Sequence, residues 1–158
     1  MKQVSRHTGN RRLLKLAAFL DTVPPSRFDY NQWVGEDWRG DPALSCGTSA
    51  CALGWATTMP TFRRLGLALR RVHGLGTAEV VMPRVRVPRT FDRSFTTGAK
   101  LFGISYDESR YLFSTLGDAR KAWEVWTPND VAEKIRRFVA ARSVASSLQR
   151  GTYGIGRS

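Results

Sequence analysis

Cysteine and histidine are scarce in this chain: 158 residues hold two of each, Cys46, Cys51, His7 and His73. Secreted disulfide scaffolds use more cysteines in fewer residues, so the count points to the reducing cytoplasm, or to a host cytoplasm if the chain is viral. A zinc site needs four ligands, and Cys-x4-Cys with two distant histidines does not match the usual spacings; no metal and no cofactor is expected. Long apolar runs are missing too. No stretch approaches the roughly 18 uninterrupted apolar residues of a membrane helix, so no membrane association through a spanning segment is expected. The N-terminus is basic and leads into the apolar run Leu13–Leu20, but that run contains Lys15, is followed by Asp21 and lacks a small-residue cleavage pattern. This argues against a secretory signal; an ordinary first helix or an amphipathic transit peptide both fit.

Acid is the next shortage, with 13 acidic residues against 25 basic ones and a net charge of +12. Lysine is scarce among the bases, five against 20 arginines. A guanidinium grips phosphate oxygens two at a time and stacks on bases, although a GC-rich genome also yields arginine, so the ratio alone decides little. The distribution decides more. Residues 1–20, 42–78 and 134–158 hold five, four and six bases and no acid, whereas the acids gather in 21–41 and 92–133. Such segregation gives a surface with signed regions, and a positive field attracts polyanions and speeds their encounter. The plain alternative is a pair of solvated basic ends.

The expectation is a basic binding protein acting on nucleic acid, DNA or RNA, through an Arg-rich surface. The candidate contacts are Arg63, Arg64, Arg70, Arg71, Arg84, Arg86, Arg89, Arg136 and Arg137. Trp33, Trp38, Trp123, Trp126 and Tyr153 are candidates for stacking, the second ingredient of single-strand binders. No zinc-finger spacing, aromatic RNP signature or clear helix-turn-helix accompanies them, so the signal is electrostatic only. The same charges would suit an acidic site on a partner protein, such as a host protein inhibited by a phage factor.

Apolar residues make up 42% of the chain, and five Trp, four Tyr and eight Phe suffice to organise a core. The periodicity predicts a single α+β domain over 1–143, mostly helical, with a small antiparallel hairpin in the middle, and a loosely ordered Gly/Ser/Arg-rich tail over 144–158. Asn10 caps a helix to Leu20. Residues 26–45 read as an ordered loop held down by Phe28, Tyr30, Trp33 and Trp38. A second helix begins near Cys46 and runs until Pro60. Strands cover Leu65–Leu69 and Val80–Val87, the latter demoted to an edge by Pro83 and Pro88, with Arg84 and Arg86 on one face. Phe91, Phe95, Ala99 and Phe102 follow helical spacing up to Gly103. Ser105 and Glu108 form a capping box. Thr127-Pro128 opens a last helix with Val131, Ile135, Phe138 and Val139 on one face and Glu133, Lys134, Arg136 and Arg137 on the other.

The most distinctive segment is Cys46-Gly47-Thr48-x-x-Cys51-x-x-Gly54. It resembles a motif found in small uncharacterised proteins of phages and bacteria, in which an aromatic-rich segment like Arg27-Phe28-Asp29 with Trp33 precedes it. A helix like Thr127-Pro128-x-x-Val131-Ala132-x-x-Ile135-x-x-Phe138 closes those domains. The resemblance covers most of residues 10–140 and implies a compact domain of viral or mobile-element type, without an activity. A shorter resemblance, over about ten residues, is to the nucleophile turn of papain-like and bacteriocin-processing cysteine proteases. It implies a cysteine-dependent hydrolase or transferase in which Cys46 is the nucleophile and His73 the base, since a thiolate gains from a helix N-terminus but also needs an imidazole. Against this, both cysteines read as small buried hydrophobes at a tight helix contact.

Overall fold

Helix α1 runs over Arg6–Leu20 and starts five residues before the position that Asn10 suggests, because the Ser5 hydroxyl accepts from the Thr8 amide at 3.2 Å and serves as the N-cap. Leu13, Leu16, Ala17 and Leu20 are fully buried along one stripe, at the spacing expected of a core-facing helix. The computed structural model describes residues 3–35, 38–44, 48–72, 78–83, 85–88, 91–114 and 125–151, with backbone only for 146–151. Among these residues the fold is α+β: six α-helices, α1, α2 (Ala52–Ala56), α3 (Pro60–Arg63), α4 (Arg93–Phe102), α5 (Tyr106–Phe113) and α6 (Pro128–Gly151), and one hairpin. The hairpin consists of β1 (Ala68–Arg71) and β2 (Ala78–Val81), antiparallel, with Leu69 opposite Val80 and Arg70 opposite Glu79. No helix among the described residues is long and apolar enough to cross a membrane.

One core holds these elements together. Helix α1 packs on α6, α4 and α2, α5 packs between α4 and α6, and the hairpin leans on α4. The Val80 amide donates to the Ser94 hydroxyl at 2.9 Å, fixing β2 to the first turn of α4. Phe62, Phe102 and Phe113 are the largest fully buried side chains. Burying a side chain of that size contributes about 1.5–3 kcal/mol each.

Helix ends follow the expected chemistry. Asp92 caps α4 through the amides of Ser94 and Phe95, and Gly103 ends it at φ +60°. Ser105 and Glu108 form a reciprocal capping box on α5. At α6 the Thr127 hydroxyl accepts from the Asp130 amide at 3.2 Å while Asp130 accepts from the Thr127 amide at 2.9 Å.

Four expectations are corrected. The helix that was to begin near Cys46 starts only at Ala52, with Cys51 as its N-cap. Ahead of it the chain is extended, because Ala50 bridges Phe28 in parallel and exchanges hydrogen bonds with Arg27 and Asp29, while Cys51 donates to the Gln32 carbonyl at 2.8 Å. Gly54 inside α2 allows that contact, since a Cβ there would sit 1.8 Å from the Trp33 carbonyl oxygen. The strands are displaced as well: β1 begins at Ala68, after a turn at Gly66 (φ +86°), and β2 ends at Val81, just before Met82-Pro83, leaving 85–88 irregular. Arg86 therefore lies beyond the hairpin rather than on a strand. Helix α6 continues to Gly151, eight residues into the segment read as tail. Finally, Lys134 is not on the solvent face of α6. It is 4% exposed, and its Nζ lies 4.4 Å from the ring centre of Tyr111, 4.8 Å from that of Trp126 and 5.8 Å from that of Tyr30. Attraction between a cation and aromatic faces compensates for part of its lost hydration.

Candidate nucleic-acid interface

Five arginines are distributed over α3, the hairpin and the start of α4: Arg63, Arg64, Arg70, Arg71 and Arg93. Arg63 and Arg64 close the short helix α3, both exposed, and neither forms an ion pair with any described residue. Arg70 on β1 pairs with Glu79 directly across the hairpin, and Arg93 at the first position of α4 reaches the same carboxylate at 3.4 Å. Neighbouring residues of a strand point to opposite faces, so Arg71 turns the other way, toward the 38–42 loop. Its guanidinium donates to the Trp38 carbonyl and lies 5.8 Å from the centre of that ring. Trp38, Arg63 and Leu69 line a groove of about 290 Å³ that ties α3 to the hairpin. Among the described residues, Glu79 is the one carboxylate paired with any of these five groups. One carboxylate cannot neutralise two guanidiniums, so the cluster keeps an excess of positive charge.

The remaining candidate arginines lie elsewhere. Arg86 is exposed and lines a separate groove of about 850 Å³ beside Lys100 and Glu108, at the junction of α4 and α5. Arg136 and Arg137 are on α6. Arg136 is tied to Asp21 and, at 2.9 Å, to Glu133, and its hydrogen bond to Asp21 raises its pKa further. Arg137 is exposed and makes no ion pair with a described residue. The helix that carries them packs on α1 and α5, whereas the hairpin packs on α4, so the candidates divide into separate sets. Arg84 and Arg89 fall outside the described residues, as do Cys46 and His73.

Of the stacking candidates, Trp38 and Trp126 are buried in the core, and Trp123 and Tyr153 fall outside the described residues. Trp33 is half-buried and ends a row of four rings. Phe91, 44% exposed, meets Tyr106 at 4.5 Å between ring centres; Tyr106 meets Phe95 at 6.2 Å and Phe95 meets Trp33 at 4.8 Å, all edge to face. The row runs along α4 from its N-terminal flank, where Arg93 joins the hairpin arginines. Arg93, Phe91 and Tyr106 carried no local signal of a site: Phe91 and Phe95 have helical spacing, which reads as core.

Cys51 carries no nucleophile chemistry. It is 1% exposed, and burial pushes its thiol from the ordinary 9.0 up to about 12, outweighing the hydrogen bonds from the Gly54 and Leu53 amides at the helix start. A thiol held that high is protonated at neutral pH and inert. Comparison of the chain with family models, with curated proteins and with solved structures finds no match for it.

Proposed function

We propose that this protein binds nucleic acid, DNA or RNA, through the face formed by α3, the hairpin and the start of α4. The observation that carries the reading is the excess of arginine over paired carboxylate on these elements: Arg70 and Arg93 share Glu79, Arg71 is held at Trp38 on the other side of the hairpin, and Arg63 and Arg64 are exposed and pair with no described carboxylate. Such a cluster on a folded surface positions phosphates better than the same charges on mobile ends, because less side-chain and backbone freedom is lost on binding. Arg71 is pre-set by its carbonyl contact and by Trp38, and Arg63 and Arg64 are exposed and form no ion pair with a described residue.

The test is a fluorescence-anisotropy titration with labelled DNA and RNA oligonucleotides across a salt series. The affinity is expected to fall linearly on a log–log plot, with about one unit of slope per phosphate contact, and Arg63→Ala with Arg64→Ala to reduce both affinity and slope. Absence of binding to either polymer at low salt overturns the proposal. A stoichiometric protein partner retained from nuclease-treated lysate, in place of nucleic acid, would assign the same arginines to an acidic protein surface.

A further inference from the structure

We infer that the face binds single strands in particular, with the row Phe91, Tyr106, Phe95 and Trp33 as a platform for unstacked bases; this rests on the nucleic-acid reading above. Exposed aromatic surface is costly in water, so a row of rings whose first member is open to solvent marks a place where something apolar and flat can lie. Phe91 is the most open of the four at 44% exposure, and Phe95, Tyr106 and Trp33 are half-buried behind it. The row begins at Phe91, two residues before Arg93, which shares Glu79 with Arg70, so the start of α4 carries both a guanidinium and the first ring of the row. Charge for phosphates alongside rings for bases is the pairing that single-strand binding uses.

At its far end the row opens into a small cavity of about 180 Å³. Trp33, Phe95, Gln32 and Ser114 are among the residues that line it. The Gln32 side chain is exposed and makes no hydrogen bond to a described residue, so its amide can both donate and accept. Aromatic walls with the side-chain amides of Asn31 and Gln32 fit a flat heteroaromatic ring that has mixed donors and acceptors on its edge, as a nucleobase has. A base inside a duplex cannot reach such a cavity without leaving its stack.

The experiment compares three probes about 15 nucleotides or base pairs long, the two single-stranded ones equal in phosphate count. They are oligothymidylate, an abasic oligomer with the same sugar–phosphate chain, and the thymidylate strand annealed to its complement. The wild-type protein is expected to bind oligothymidylate at least about tenfold more tightly than the abasic oligomer and more tightly than the duplex. Phe91→Ala, at an exposed ring, should remove much of that preference while leaving abasic binding unchanged. Gln32→Ala, a second exposed position, should weaken oligothymidylate binding alone. Equal affinity for oligothymidylate and the abasic oligomer overturns the base platform while leaving the electrostatic reading in place. An undiminished preference in both variants overturns the assignment to this row, and no binding by any probe overturns both readings.

Discussion

On the α1–α6 side of the molecule, arginines turn inward and hold the fold. Arg12 donates to the Leu101 carbonyl at 2.6 Å, and Arg142 donates to the Gly103 carbonyl and to Asn10, both at 3.2 Å. Both serve the C-terminal end of α4, where carbonyls lack helical partners and cations are favoured. Burial lowers the pKa of each, the mark of a cation drawn partly out of water. On the α3–hairpin side, Arg63 and Arg64 stand exposed with no carboxylate among the described residues, and Arg70 and Arg93 share one. Equal residue type thus hides unequal employment. A net charge of +12 overstates what is available for a partner, and the location of unneutralised groups is the more useful quantity.

That contrast can be broken from the framework side first. Gly54→Ala forces a Cβ to within 1.8 Å of the Trp33 carbonyl and 2.9 Å of the Ala50 Cβ. Neither neighbour is the far end of a flexible chain, so thermal or urea unfolding should show a loss of about 3 kcal/mol or more. Arg142→Ala should cost less, about 1–2 kcal/mol, by leaving the Gly103 carbonyl and Asn10 without their donor. Its folded form should retain full oligonucleotide affinity, which separates a structural arginine from a binding one. The smallest effect concerns Cys51. Its folded-state pKa is raised, so its contribution to stability is complete below pH 9.0 and fades as pH climbs toward about 12, because the unfolded thiol ionises first. Cys51→Ala should flatten that part of the alkaline decline in a pH series of unfolding midpoints, and native Cys51 should resist iodoacetamide at neutral pH.

Much of the fold was legible where signals are local. The cap at Gly103, the Ser105–Glu108 box and the Thr127-Pro128 start all act within one helical turn, and each stands where the residues indicate. Signals failed where distant chain decides. The segment before Ala52 is rich in small residues that suit a helix, but Ala50 is claimed by Phe28, 22 positions earlier, and backbone pairing prevails. Lys134 sits at a polar position of the helical pattern, and only the arrival of Tyr30, Tyr111 and Trp126 makes its burial tolerable. The site was half legible. Arg63, Arg64, Arg70 and Arg71 are readable as a basic run, whereas Arg93 joins them only because Ser94 ties α4 to β2. Exposure of Phe91 depends on packing around the end of α4, which periodicity cannot express.

Two arginines test the central claim most directly, because both are exposed and neither pairs with a described carboxylate: Arg64 beside the hairpin and Arg137 on α6. Arg64→Glu and Arg137→Glu change the net charge equally, so any difference between them reports location. In salt-dependent anisotropy titrations, Arg64→Glu should lower the log–log slope by about one and weaken binding, while Arg137→Glu leaves both near the wild-type values. Equal losses in the two variants would mean that the overall field binds the polyanion without a dedicated face, and would contradict the account.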